Sequence, residues 1–277
     1  MKNILLLIFG FLCSLSYAQR HEVGIFAGGA NVIGDIGKDN FINPMPVSYF
    51  TQERIGRSPV ALGGIYRFNF NPYMGLRLNA IYGKVIGSDY TAAEKYKKER
   101  DYTYKNNILE GSLIFEYNFF SINDFDGSKH SPYVFMGLGA FMYDKLLYEV
   151  SHTFTRNSQG VILDPPSIHT EIETIKEKET KFTIPFGAGY KYKYRNFVIS
   201  AEVGFRYTKT DNLDFSFSNE KDFTFNIEPG LDLDQIELLD SNIIKSRQVG
   251  NTSNYDWYVF TGLTLTYTFG RPPCFCN

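Results

Sequence analysis

The sequence predicts an all-β protein: an eight-stranded antiparallel transmembrane β-barrel of the outer-membrane type, with four long extracellular loops and short periplasmic turns. Three observations predict it. Beyond residue 18 no run of apolar residues is long enough for a membrane helix, which needs about 20. Apolar and polar residues alternate with period two in segment after segment, with aromatics at the ends of the apolar face. Short and long connections alternate between those segments, as in barrels with tight turns on one side of a membrane and loops on the other.

Residues 1–18 read as a secretory signal. Lys2 gives a positive start, Ile4 to Leu12 is apolar, and Ser16-Tyr17-Ala18 has the small-x-small form of a cleavage site before Gln19. Cys13 follows Leu12, where lipidation needs a small residue, so a lipoprotein is not expected. Residues 19–277 then form one barrel domain ending in a short periplasmic tail, 271–277. The chain has 28 basic and 30 acidic residues, too mild a balance to argue for nucleic acid or an acidic partner. Of three cysteines, only Cys274 and Cys276 follow the leader, so no disulfide framework staples the fold.

The first strand is expected in HEVGIFAGGANVIGD, where alternation is blurred by glycine. In ALGGIYRFNF, Leu62, Tyr66, Phe68 and Phe70 share a face opposite Arg67 and Asn69. In YMGLRLNAIYG, Leu76, Leu78, Ala80 and Tyr82 oppose Arg77 and Asn79. In ILEGSLIFEYNFF, Leu109, Leu113, Phe115, Tyr117 and Phe119 oppose Glu110, Ser112, Glu116 and Asn118. SPYVFMGLGAFMYDKLLYEV is long and apolar on both faces from Val134 to Met142. In FTIPFGAGYKYKYR the aromatic face opposes Lys191, Lys193 and Arg195, and in NFVISAEVGFRYT it opposes Ser200, Glu202 and Arg206. In the last segment Tyr255, Trp257, Val259, Thr261, Leu263, Leu265, Tyr267 and Phe269 form an outward face with aromatics at both ends. Asn71-Pro72, the SINDFDGSKHSP stretch and Tyr194-Arg195-Asn196 make the short turns. The long connections are Val32 to Ser58, Ser88 to Tyr102, Ser151 to Lys178 and Asp211 to Asn254.

The inward set, Arg67, Arg77, Lys191, Lys193, Arg195 and Arg206 against Glu110, Glu116 and Glu202, is expected to pair off. An isolated charge in a narrow lumen is prohibitively costly. Eight strands leave a bore that side chains fill, so an ion-paired plug is favoured over a conduit or proton path.

No enzyme constellation emerges. His21, His130, His152 and His169 lack metal-ligand spacing. A rim site combining His152 or His169 with Ser151 or Asp164 is conceivable, but these residues are ordinary for a solvated loop. The glycine pairs Gly137/Gly139 and Gly187/Gly189 precede no helix and suit a curved wall better than a phosphate loop. AAEKYKKERDYTYK, 92–105, fits a short external helix with a solvated face. The charged stretch from Glu171 to Lys181 fits hairpin strands continuing above the membrane. NIEPGLDLDQIELLD is acidic without the spacing of a calcium loop. No cofactor, metal, nucleic acid or small-molecule substrate is expected.

The terminal Cys274-Phe275-Cys276 follows Pro272-Pro273, which hold the tail extended. Cysteines one residue apart bond each other only with strain. An intermolecular disulfide, a docking contact, a strained local bridge and an inert tail all remain open on these residues alone.

HEVGIFAGGANVIGDIGK, SPYVFMGLGAFMY, IPFGAGYKYKYRNFVISAEVGFRYTKTDNLD and NYDWYVFTGLTLTYTFGRPPCFC together resemble the PorG family, outer-membrane barrel components of the type IX secretion system. The likeness runs from near residue 21 to the end; 44–58 and 215–250 match poorly. The resemblance implies a non-enzymatic subunit in the outer membrane of a Gram-negative bacterium. Its implied partners are outer-membrane lipid and the periplasmic ring proteins, a ring lipoprotein and its companion, which it would position beneath the membrane. It also implies that Cys274 or Cys276 cross-links to the ring lipoprotein. In gliding species the same machinery exports adhesins. An OmpA-like adhesion or recognition barrel acting through its outer loops is the alternative.

Overall fold

The computed structural model describes residues 20–37, 59–124, 127–162, 167–229, 233–251 and 254–270. The expected signal segment, Asp164 and the tail with Cys274 and Cys276 lie outside them. The strands are β1 (Arg20–Ile33), β2 (Val60–Asn69), β3 (Met74–Ser88), β4 (Thr103–Asn118), β5 (His130–Phe154), β6 (Ile168–Tyr194), β7 (Phe197–Thr208), β8 (Phe223–Ile227) and β9 (Trp257–Phe269). Each of β1 to β7 and β9 pairs antiparallel with its ring neighbours. β4 joins β5 and β9 joins β1, so eight strands close on themselves. Closure leaves no unpaired edge in the ring, the condition for a sheet to span a bilayer.

The outward face is apolar along every wall. Leu138 is 71% exposed and Phe182 86% exposed. In water these side chains would stand uncovered; among acyl chains they are covered. Tyr66, Tyr117, Tyr190, Phe197, Tyr267 and Phe269 ring the end that carries the short turns. At β6–β7 the turn needs only Arg195 and Asn196, and Arg195 adopts a left-handed backbone (φ 54°). The expectation that Arg195 points into the lumen is therefore corrected: it is an exposed turn residue stacked on the Tyr194 ring.

The short turns are knitted together. The Asn123 backbone N–H donates to the Pro72 carbonyl (3.2 Å), and its side chain donates to the Asn71 carbonyl (3.1 Å). Lys193 belongs here and not to the central ion network expected of it. Its ammonium donates to the carbonyls of Ile122 (3.1 Å) and Asp124 (2.6 Å), fastening the β4–β5 turn.

At the opposite end β5 and β6, 25 and 27 residues long, run far past the band that a membrane strand of about 9–11 residues would cover. Two elements that the alternation did not indicate pack on this extension. β8 joins β5 in parallel, from Tyr148↔Phe223 to His152↔Ile227, and a helix follows at Leu233–Ser246. A shorter helix, α1, occupies Lys95–Arg100, so the longer one is α2. Tyr148, Val150 and Phe223 form a small core, with Ile172, Ile243 and Ile244 packed against it. Part of the acidic segment read as a loop is thus helical, because its apolar residues have a surface to cover.

Candidate functional site

The lumen is filled in two layers. Its lower half, nearest the short turns, is ionic. Glu116 on β4 is the hub: it stands 2.7 Å from Arg67 Nε, 3.1 Å from Arg77 Nη1 and 2.5 Å from Lys191 Nζ. Glu202 pairs with Arg77 at 2.6 Å and accepts the Tyr133 hydroxyl at 2.5 Å. Glu110 accepts from Arg206 Nε (3.0 Å), the Tyr258 hydroxyl (2.9 Å) and the Ser112 hydroxyl (2.7 Å). Glu22 on β1 pairs with Arg67 and accepts from Asn69 (2.6 Å) and Thr266 (2.8 Å).

Four cations thus meet four carboxylates, all with side chains no more than 4% exposed. Each carboxylate has an ionic partner and most have hydroxyl or amide donors as well, which is what a charge in a low-dielectric bore requires. Aromatic faces cover the cations: Lys191 Nζ is 4.3 Å from the Tyr133 ring centre, and the Arg206 guanidinium carbon is 4.5 Å from that of Phe260.

Arg67, Arg77, Glu110, Glu116, Lys191, Glu202 and Arg206 were all placed inward by alternation. Glu22, Tyr133 and Tyr258 were not identified. Glu22 sits in the glycine-rich strand whose alternation is weak, although its spacing from Phe26 was available as a signal. Tyr258 fell on the face opposite Trp257 with no partner assigned, and Tyr133 lies in the segment whose alternation is unclear; their acid partners are Glu110 and Glu202. The upper layer is apolar, from Phe26, Ile65 and Ile81 to Phe141, Tyr258 and Phe260. An ion-paired polar plug was expected; the lower half is one, and the upper half is packed like a small protein core.

The histidines do not assemble with a nucleophile among the described residues. His152 is fully buried, with Nδ1 2.9 Å from the Thr170 hydroxyl and Nε2 2.7 Å from Asp240 Oδ1, so both ring nitrogens are engaged. Ser151, its neighbour on β5, points to the other face of the strand. His21 Nδ1 meets the Tyr66 hydroxyl (2.7 Å), and His130 Nδ1 meets the Tyr190 hydroxyl (2.9 Å), within the aromatic ring at the short-turn end. His169 is exposed.

A second charged cluster sits where the loops meet the upper rim. Asp214 accepts the backbone N–H groups of Asp35 (2.7 Å), Ile36 (2.9 Å) and Ser216 (2.9 Å). Asp256 accepts the Leu213 N–H at 2.9 Å. Arg100 on α1 clasps Asp89 (2.6 Å) and the Asp35 carbonyl (2.9 Å), while Lys97 donates to the Gly37 carbonyl (3.2 Å). Lys97 is only 6% exposed, so α1 is a buttress as well as the solvated face expected of it. The IGDIG, TDNLD and NYDW stretches, far apart in sequence, meet here.

Several solved outer-membrane barrels are similar in fold. They include the N-terminal β-barrel domain of Pseudomonas aeruginosa OprF (13% identity, 91% of this chain and 98% of that one, TM-score 0.37). They also include Ail, the attachment invasion locus protein of Yersinia pestis (11%, 91% and 99%, TM-score 0.41), and Neisserial surface protein A (9%, 91% and 96%, TM-score 0.34). No curated protein matches the chain in sequence. A family model described as a domain of unknown function, DUF6089, matches residues 1–169 and 157–277, and the chain belongs to that family.

Proposed function

We propose that this barrel is a non-enzymatic outer-membrane component of the type IX protein secretion system, which anchors and positions the lipoprotein-containing periplasmic ring. The observation that carries this reading is the filled bore. Arginines and aromatics are the largest fully buried side chains of the molecule, and they occupy the space a transported solute would need. A barrel built this way favours a role at its surfaces. The short turns and the end of β9 lie at one end, so the chain leaves β9 toward the periplasm, where Cys274 and Cys276 would reach a ring lipoprotein. The knitted turns, held by Asn123 and Lys193, offer that partner a rigid base.

The test is purification of the tagged protein in mild detergent, with identification of what accompanies it, and non-reducing gels of envelope fractions. Ring proteins should co-purify, and a high-mass species should vanish in the Cys274→Ser, Cys276→Ser double variant. A tagged barrel that comes through alone, and is monomeric in every lane, sinks the reading.

A second reading has one specific observation behind it. The extension of β5 and β6 carries its own small core with β8 and α2, a built extracellular structure suited to surface recognition. Trimming 215–250 then abolishes function while deletion of 272–277 leaves it intact; the secretion reading expects the reverse.

A further inference from the structure

The ring of strands has no edge, but β8 does. It pairs with β5 along one side, from Tyr148↔Phe223 to His152↔Ile227, and ends the sheet there. Among the described residues no strand pairs with its other side. An unpaired edge presents a row of backbone N–H and C=O groups at strand spacing, which another extended chain matches. Many proteins blunt such an edge with a lysine, a proline or a bulge. Phe223-Thr224-Phe225-Asn226-Ile227 has none of these, and its register with β5 is unbroken. Thr224, Asn226 and Ile227 are exposed.

The two faces beside this edge differ. Phe223 and Phe225 lie on the face that α2 covers, and Tyr148 stacks on Phe223 at 4.8 Å. Ile227 lies on the same face at the far end of the strand and is 41% exposed. The opposite face carries Thr224 and Asn226, and beside them Glu149, Glu171 and Glu173, all exposed. Glu149 stands directly across the ladder from Glu173, a like-charge pair that repels. The lysines of the extension are engaged elsewhere: Lys145 with Asp222, Lys178 with Asp144, Lys181 with Glu179 and Lys176 over the Phe215 ring.

We propose that β8 takes up an extended polypeptide segment as an added strand, one whose residues alternate between apolar and basic. Period two places alternate residues of an added strand on the two faces. Apolar ones continue the row of Phe223, Phe225 and Ile227, and lysine or arginine meets the glutamates. A second copy of this chain fits worse. Twofold pairing needs two β8 strands opposed, whereas barrels upright in one membrane point them the same way. It would also bring two acidic faces side by side. The inference rests on the recognition reading and supplies the chemistry of its partner.

The full-length protein in maltoside micelles at low salt is titrated into a fluorescein-labelled peptide of four Val-Lys repeats, followed by anisotropy. The signal should rise to saturation. The matching Val-Glu peptide should bind at least tenfold more weakly, because it sets like charges together. N-methylation separates strand pairing from charge attraction. Methyl groups on one set of alternate residues should abolish binding, and on the other set leave it nearly unchanged, because only one set of N–H groups faces β8. Glu149→Gln with Glu173→Gln should weaken Val-Lys by about fivefold, the scale of two exposed ion pairs. Glu149→Lys with Glu173→Lys should exchange the preference in favour of Val-Glu, which an unfolded extension would not do.

No saturable response, equal behaviour of the two methylated peptides, or an unchanged response in the double glutamine variant overturns the assignment. So does a dimer in sedimentation that blocks the peptide, since the edge then belongs to a second copy. If the peptide fails to bind while trimming 215–250 still abolishes function, this inference falls and the recognition reading stands. If it binds as described while that trimming is silent, the strand site stands and the reading falls.

Discussion

The lumen and the upper rim both concentrate charge in confined space, and they resolve it in opposite ways. In the lumen four carboxylates face four cations, and tyrosine, serine, threonine and asparagine donors take up further lone pairs. At the rim Asp35, Asp211, Asp214 and Asp256 crowd together, and only Asp214 is fully occupied by backbone N–H groups. Balanced charge makes a rigid plug. Unbalanced charge makes carboxyl groups hold their protons more tightly. The same substitution, carboxylate to amide, should therefore act with opposite sign at the two places.

The largest effect is expected at Glu116. Replacing it by Gln keeps the shape but leaves Arg67, Arg77 and Lys191 without their shared counter-ion, deep in the bore. Breaking a buried ion network from one side costs about 3–5 kcal/mol. Urea unfolding in lipid vesicles, followed by the loss of heat-shifted gel migration, should show a lower midpoint by that margin. A midpoint within error of the parent would mean that the bore is wet enough for water to replace Glu116.

Asp211→Asn should move stability the other way. Its native carboxyl titrates near 7 instead of the ordinary 3.8, so the folded chain holds a proton that the unfolded chain has already released. That contribution is fully present below pH 3.8 and is lost as pH rises through about 7. Above that pH the parent carries an extra repelled charge. The variant should then be the more stable protein at pH 8, with the difference vanishing toward pH 4. Asp211 is partly open to solvent, so the gain is smaller than the loss at Glu116. Equal pH profiles for the two proteins would remove the repulsion from this comparison.

The two regions also differ in how far the sequence foretold them. Lumen residues such as Arg67 and Glu116 sit in strands, where period two sets their direction, so Arg77 and Glu202 could be placed on one inner surface before any register was known. Alternation says which way a residue faces but not what it meets, and so Tyr258, on the inner face of its strand, was not matched to Glu110, while Tyr133 and Glu22 lay in segments of weak alternation. Direction alone also could not show that the upper lumen closes on Phe26, Phe141 and Phe260. The rim was illegible for a stronger reason. Asp35, Asp211 and Asp256 come from three connections separated by most of the chain, and only closure of β1, β7 and β9 into neighbours brings them together. β8 was missed because five residues on an extension edge carry too little pattern, and α2 because its apolar residues read as loop until β5 and β6 were seen to reach above the membrane.

The smallest effect sharpens the contrast through a pair that belongs to neither region. Lys178 on β6 bonds Asp144 on β5 at 2.5 Å, directly across the ladder, in the extension above the membrane. Its N–O distance matches that of Lys191 with Glu116, also 2.5 Å, though that pair reaches across the lumen between strands that are not neighbours. What differs is water: the Lys178 side chain is 56% exposed and that of Lys191 2%. Around Lys178 the solvent already stabilises each ion separately, and holding the long side chain in place costs rotamer freedom. Asp144 also keeps a second donor, Asn107, at 3.1 Å. Lys178→Ala should therefore lower stability by about 1 kcal/mol or less, and added salt should shrink the difference further. The Glu116→Gln deficit should persist in the same salt, since ions do not enter the filled bore. If both deficits shrink alike, the lumen is as open to electrolyte as the surface, and the distinction between a sealed plug and a solvated rim disappears.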